Sequence, residues 1–478
     1  MKNILIVLLL LLVGCTSPSY PSIDRPSTNI SDEDSYIIDY IDQRLSQEYY
    51  WLDEVCERSH TFNRRLAWNN YLPSVLGSLQ TNIDDGYLNK QNQRVLYSYI
   101  RDTKSATRSK SEVMGFGISL YYVIISFEDG RLGFVIDYIY ADSPAYKAGL
   151  RRGDIILSIE GNSITRDNYA TLFNTIQKNT VQSLRLELRR QIYESEQEAS
   201  LAAMLTAASY YENPVLYSDV ITVDYSNIRI GYLVYSAFND DFDEDLIAAL
   251  GALAAEGVDR MILDLRVNAG GAVNSATKLG SMLLGDSYAG SLLCELRRNP
   301  ANKISNKSSY RYLESVGNAL NIDQLTVICS EYTASASELL VVGLRGLDVP
   351  VTLVGSQTQG KNCGMDVTFR IIGNKHLEFA PITFMCYNAK GFGDYGDGLA
   401  VDIDLCNGNS YDVTDEYYPL PRCEWGDMEH DIALICSVAD ITGSKVSGGA
   451  ESRCSAPLHL EKYHSLTPPE GGTLLYEE

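Results

Sequence analysis

Three short strings in the second half of the chain carry residue types suited to acyl transfer. Thr333-Ala334-Ser335-Ala336-Ser337-Glu338 offers two hydroxyls at the start of an apolar, helix-forming run. A serine there sits in the positive field of a helix N-terminus. Gly360-Lys361 places a lysine on a glycine-flanked loop, 26 residues after Ser335. Asp264-Leu265-Arg266-Val267-Asn268-Ala269-Gly270-Gly271 ends an apolar run in a glycine turn, where backbone N–H groups can point at a ligand oxygen. A serine hydroxyl needs a base to take its proton. Lysine serves as that base only when neutral, a state favoured by burial or by nearby positive potential.

Taken singly, each string has a plainer meaning. Ser335-x-x-Glu338 matches a capping box, in which both side chains satisfy helix-start amides. Lys361 alone reads as a solvated charge, and Asp264-Leu265-Arg266 as a strand-end ion pair of small energetic consequence. The conjunction is what points to one site, because loops at strand ends of α/β folds converge. Other chemistries are excluded: the chain has no G-x-S-x-G nucleophile elbow and no H-E-x-x-H zinc helix. Gly355 to Asn362 falls one residue short of a P-loop, with Asn362 where the Mg²⁺-holding Ser/Thr belongs. Five His leave little room for a multi-His centre, and neither a metal nor a cofactor is expected.

The elements that must position these groups can be read coarsely. Residues 36–110 show apolar residues at helical spacing (Ile37, Ile38, Ile41, Leu45; Leu66, Tyr71, Leu72, Val75, Leu76) and read as a helical region whose aromatics are packing surface. Residues 113–192 are β-rich, with Gly115-Phe116-Gly117-Ile118 and then SPAYKAGLRRGDIILSIEGNSI from Ser143 to Ile164. A short helix from Pro144, ended by Gly149, and a tight turn at Gly153-Asp154 are predicted. From about 210 to 444 strand-like and helix-like runs alternate, which favours helices covering a sheet. Residues 445–478 read as a loosely packed tail.

The run from Ser143, with its glycine-rich loop, resembles a PDZ domain of the bacterial protease type. That resemblance implies that Gly115, Phe116, Gly117 and Ile118 receive a peptide's C-terminal carboxylate while the peptide adds as a strand. The whole constellation, in this order, resembles the serine–lysine C-terminal processing peptidases. Tyr395-Gly396-Asp397-Gly398-Leu399-Ala400-Val401-Asp402 and Gly426 to Gly443 resemble that family's closing segments. The implied fold is α+β and multidomain: N-terminal helical region, PDZ module, and an α/β (crotonase/ClpP-like) peptidase domain. The implied roles are Ser335 as nucleophile, Lys361 as general base, and an oxyanion hole from the Ala336 N–H with that of Gly270 or Gly271. Ser337 stays open as an alternative nucleophile.

One position departs from the family pattern. The Gln that many members carry four residues after the lysine is Met365 here. Asp366 follows it, and a carboxylate beside Lys361 would raise the lysine's pKa. Asn362 and Thr358 are the candidates to orient the base instead. The expected function is therefore a serine endopeptidase acting on polypeptides held by their C-termini. The alternative is a weak or inactive tail-binding protein.

Composition sets the setting. The chain has 478 residues, 39 Lys+Arg against 62 Asp+Glu, and a net charge of −23. That balance argues against nucleic acid or an anionic membrane face as partner. Lys2, the apolar run Ile4–Val13 and Gly14-Cys15 have the layout of a signal peptide. Leu12-Val13-Gly14-Cys15 resembles the bacterial lipobox, which implies a lipid on Cys15, a tether over 15–35, and a cell-envelope location on the periplasmic or outer-membrane face. No disulfide is assigned among the other nine cysteines, and the sequence leaves the oligomeric state open.

Overall fold

The computed structural model describes residues 31–89, 92–103, 112–126, 132–177, 179–192, 197–223, 227–305, 307–407, 418–444 and 461–463. The signal-peptide run, Cys15 and most of the tail lie outside these residues. Helix α1 (Asp32–Glu48) starts at Ser31, whose hydroxyl accepts the Asp34 N–H at 3.0 Å, with three acidic residues in its first turn favouring the helix dipole. Its stripe Ile37, Ile38, Ile41 and Leu45 is buried. With α2 (Leu52–Arg58) and α3 (Trp68–Ser78), it packs onto Cys363, Met365, Phe379 and Ile382. The region is helical only as far as Ser78. Beyond it, β1 (Tyr99–Asp102) pairs antiparallel with residues 377–380. The first hundred residues thus share a core with the large domain rather than folding apart from it.

The β module comprises β2 (Ile118–Ser126), β3 (Leu132–Ile139), α4 (Pro144–Lys147), β4 (Ile155–Ile159), α5 (Tyr169–Gln177), β5 (Ser183–Ile192) and β6 (Gln197–Thr206). The expected short helix is present, with Ser143 accepting the Tyr146 N–H at 3.2 Å. Gly149, which ends it, and Gly153, in the turn that follows, have positive φ, 74° and 84°. Phe116, Phe134, Ile156, Phe173 and Leu186 form its core.

The large domain runs β7 (Val215–Val223), β8 (Ile228–Tyr235), α6 (Asp243–Ala255), β9 (Arg260–Asp264), α7 (Val273–Leu284), β10 (Leu292–Arg298), β11 (Ser309–Tyr312), β12 (Leu325–Cys329), α8 (Ala336–Gly346), β13 (Val351–Gly355), β14 (Cys363–Met365), β15 (Thr368–Ile372), β16 (Lys375–Ala380), β17 (Ile382–Asn388), β18 (Ile403–Asp404) and α9 (Ile432–Thr442). Its main sheet has the order β7-β8-β9-β12-β13-β18, parallel from β8 onward. Both faces of the parallel strands are buried, as their unbroken apolar sequences require. Residues of α6, α7 and α8 join Leu263 and Val327 in one core, while α9 joins Ile262 and Ile328 in the other. After β13 the chain passes into β14, not into a helix, so the P-loop-like string has no phosphate-binding context. A last strand, β19 (Glu461–Tyr463), pairs antiparallel with Ile124–Ser126 at the free edge of β2. Among the described residues no helix is long and apolar enough to cross a membrane, and the eight described cysteines are free thiols.

Candidate active site

The Asp264–Gly271 turn leaves the end of β9 and is anchored by buried polar contacts. Arg266 is 4 % exposed and lies between Asp264 and Asp431, at 2.7 and 2.8 Å. This is a buried charge triad, not the strand-end ion pair of small consequence that the string alone suggests. Burial opposes ionisation of Asp431, yet Arg266 holds its carboxyl below the usual range. Asn268 fixes the glycine turn: its side chain donates to the Tyr235 carbonyl at 2.9 Å and accepts the Gly270 N–H at 2.8 Å.

That turn is fastened to the loop between β12 and α8. Thr333 Oγ1 donates to the Leu265 carbonyl at 2.8 Å and Ser330 Oγ to that of Arg266. The Asn268 carbonyl accepts both the Ala334 N–H and the Ser337 hydroxyl, at 3.2 and 3.1 Å. Ser337 is fully buried, with its hydroxyl committed to the backbone. Ser335 differs. It is half-buried and occupies the helix N-cap with φ 55° and ψ −117°, a conformation that costs a non-glycine residue on the order of 1–3 kcal/mol. Gly270 lies directly beneath it, so that a Cβ there would come within 2.7 Å of Ser335 Cβ and 2.8 Å of the Ala336 nitrogen. Only glycine fits this approach.

Glu338 joins the serine to the lysine loop. Its fully buried carboxylate accepts the Ser335 N–H at 2.9 Å, the Lys361 N–H at 2.8 Å, the Gly360 N–H at 2.7 Å and the Thr358 hydroxyl at 2.6 Å. Ser335 and Lys361 donate to the same oxygen, Oε2, so their nitrogens lie within two hydrogen-bond lengths. Burial raises the Glu338 carboxyl to about 7, against the pull of these donors toward the ionised form. The capping-box reading was therefore half of its role. Gly360 is held by the 395–398 loop, since a Cβ on it would meet the Gly396 carbonyl oxygen at 2.2 Å.

Lys361 is 7 % exposed. Burial is the largest influence on it and lowers its pKa, while Cys363, Asp85, Cys386 and Glu338 push the other way. Asp366 does not neutralise this effect, because its carboxylate is engaged by Arg298 and by the Thr383 hydroxyl. Nor do the expected orienting groups face the lysine: Thr358 serves Glu338, and Asn362 Nδ2 donates to the Gly393 carbonyl at 3.1 Å. Met365 is buried in the apolar core shared with α1 and α3. The group that does meet Lys361 Nζ is Tyr97, its ring centroid 4.9 Å away. Sequence reasoning left Tyr97 among packing residues, and no local pattern marks it. Among the described residues no cluster of three or more His, Cys, Asp or Glu could hold a metal.

In the β module, Phe116 is buried in the core and Gly117 has φ 74°, with no room for a Cβ against Ser143. The Phe116 and Gly117 carbonyls accept from Ala145 and Tyr140 at 3.0 and 3.1 Å. Ile118 opens β2 directly after this loop, and Gly115 closes against the Asn179 side chain.

Comparison with known proteins agrees with these modules. Residues 229–391 match the Peptidase family S41 model, and residues 135–190 match a PDZ domain model. The chain is 25% identical over 253 residues to the chloroplastic carboxyl-terminal-processing peptidase 1 of Arabidopsis thaliana, covering 53% of this chain and 48% of that protein. It is 30% identical over 224 residues to the carboxyl-terminal-processing protease of Synechocystis sp., covering 46% and 48%. The chain thus spans about half the length of these two relatives. The crystal structure of an S41-type protein from Bacteroides fragilis superposes with a TM-score of 0.65 at 20% identity, over 84% of this chain and 97% of that one, a likeness of fold. The chain thus joins a segment similar to peptidase family S41 to a segment similar to a PDZ domain, the likeness it shares with the carboxyl-terminal-processing proteases.

Proposed function

We propose that the protein is a serine endopeptidase in which Ser335 is the nucleophile and Lys361 its general base. The observation that carries this reading is the single Glu338 oxygen bonded to the amides of both residues. It brings the backbone of a strained, half-buried serine near that of a buried lysine whose pKa burial lowers. Lys361 Nζ takes the Ser335 hydroxyl proton as Oγ attacks the scissile carbonyl, then returns it to the leaving amine. Water hydrolyses the acyl-enzyme by the same route. Because the Gly270 N–H is spent on Asn268, the oxyanion falls to the N–H groups of Ala336 and Gly271. Substrate C-termini add as a strand along the β2 edge and end at the Gly115–Ile118 loop. A lipid on Cys15 holds the protein at the cell envelope, outside the cytoplasm. Loss of membrane association in Cys15→Ala checks that anchor.

Turnover of unfolded protein substrates by the chain lacking residues 1–15 tests the chemistry. Ser335→Ala and Lys361→Ala should each lower kcat by about 10³-fold or more, while Ser337→Ala retains most activity. Loss confined to Ser337→Ala would reassign the nucleophile. No cleavage by the parent chain, with peptide tails still bound, would make it a binding protein.

A further inference from the structure

Lys361 is walled in by a segment distant in sequence, the one that follows α3. Tyr97 is 2 % exposed, and its ring face lies 4.9 Å from Lys361 Nζ. The ring and its neighbours are held in place. Tyr87 stacks against it at 5.8 Å between centroids. Next to it, the Ser98 N–H donates to Asp85 at 2.8 Å, and the Ser98 hydroxyl accepts the Ile382 N–H at 2.9 Å. Asp85 in turn accepts the Tyr49 hydroxyl at 2.6 Å, and the Asp84 carbonyl receives the Cys363 thiol at 3.4 Å. The segment is thus fastened to the end of α1, to β14, which follows the lysine loop, and to β17, which pairs with β14. An ordinary core tyrosine needs no such placement over an ammonium group.

We propose that Tyr97 is a positioning residue of the peptidase site, its ring excluding water from Lys361 Nζ and fixing the direction in which the amine points. The inference rests on Lys361 acting as the base. An aromatic face has two opposed effects on a lysine: it attracts the cation, and it removes hydrating water, which disfavours the cation. The groups facing Lys361 are Glu338 from α8, Asp85 from the N-terminal segment, Cys363 from β14 and Cys386 from β17, all favouring the charged form. Burial outweighs them. Tyr97 covers part of the amine, and water exclusion is the effect assigned here to its ring. With Met365 turned into the apolar core, Tyr97 does by walling what a polar side chain at that position would do by bonding.

The test uses the full chain with Tyr97→Phe and Tyr97→Leu. Two readouts are followed against pH: kcat/KM, and the rate of Lys361 acetylation by acetic anhydride, followed by mass spectrometry. In Tyr97→Leu the rising limb of kcat/KM and the acetylation midpoint should both move up by about one pH unit, with a roughly 10-fold loss of turnover at neutral pH. Tyr97→Phe should match the parent in both. Unchanged midpoints in Tyr97→Leu, or a downward move, would overturn the proposal even if the protein is a peptidase. The acetylation shift without any peptidase activity would uphold the wall while removing the proposed function.

Discussion

The proposed role of Lys361 as base calls for a lowered pKa, which burial supplies, and burial of an amine opposes folding. Its pKa lies below the usual 10.5, chiefly through burial, so the folded state binds this proton less readily than the unfolded chain. The penalty is absent above pH 10.5, grows as pH falls from there, and levels off once pH is below the folded value. Lys361→Met removes it while keeping the apolar stem's volume. At pH 7 the variant should be inactive yet melt a few degrees higher, at about 2–4 °C per kcal/mol. The difference from the parent should shrink as pH approaches 10.5. Thermal unfolding at several pH values checks this, and an equal or lower Tm for Lys361→Met at pH 7 would mean that burial of the lysine carries no such penalty.

At the scale of elements, what the sequence disclosed and what it hid follow from distance along the chain. Strand–turn–helix strings such as Leu325 to Gly346 carry their own signals: an apolar run, small turn residues, then a helix-forming run. The serine and the glycine turn were legible for that reason, while Lys361, on a strand-to-strand loop, stood out only in conjunction with them and through the family resemblance. The partners of those groups were not. Glu338 reads locally as a cap, and its bonds to Thr358, Gly360 and Lys361 arise only once β13 lies beside α8. Asp431 looks like a helix N-cap, which it is, with its side chain accepting the Ala433 and Leu434 amides at 3.2 and 3.3 Å. It also completes the Arg266 triad from across the sheet. Two jobs in one carboxylate make a steep prediction. Asp431→Ala should destabilise the protein by about 3 kcal/mol, since it leaves a buried guanidinium short of a partner. Asp431→Asn, which keeps the cap, should lose less. Urea denaturation of both measures this, and a loss under about 0.5 kcal/mol for Asp431→Ala would place it among ordinary surface positions.

On the scale of the whole molecule, the PDZ domain meets the peptidase domain at two places that bear on the site. Tyr121 of β2, the strand a peptide would extend, packs edge-on against Tyr332 at 5.7 Å, three residues before Ser335. The segment before α9 places Trp425 between two arginines, with Arg152 of the PDZ domain 3.9 Å and Arg266 of the glycine turn 5.4 Å from its ring centroid. Arg152 also donates to the Cys423 carbonyl at 2.6 Å, and a Cβ on Gly153 would meet the Arg422 backbone at 2.9 Å. The turn that follows α4 is therefore locked onto the segment that carries Asp431, and through Asp431 onto Arg266. A peptide entering along β2 must also contend with β19, already paired to Ile124–Ser126. The turn after α4 thus has a packed route, through Trp425 and Asp431, to the glycine turn to which the proposed function assigns the oxyanion. Trp425→Ala removes the middle of that route without touching Ser335, Lys361 or their hydrogen bonds. For the parent, a substrate bearing a PDZ-binding tail should have a higher kcat/KM than the same substrate without it. In Trp425→Ala the ratio should fall several-fold toward one, in keeping with couplings of about 1–3 kcal/mol. Steady-state rates on the two substrates decide the matter. A ratio left intact by Trp425→Ala would mean that the PDZ domain only tethers its substrate and does not act on the site through this stack.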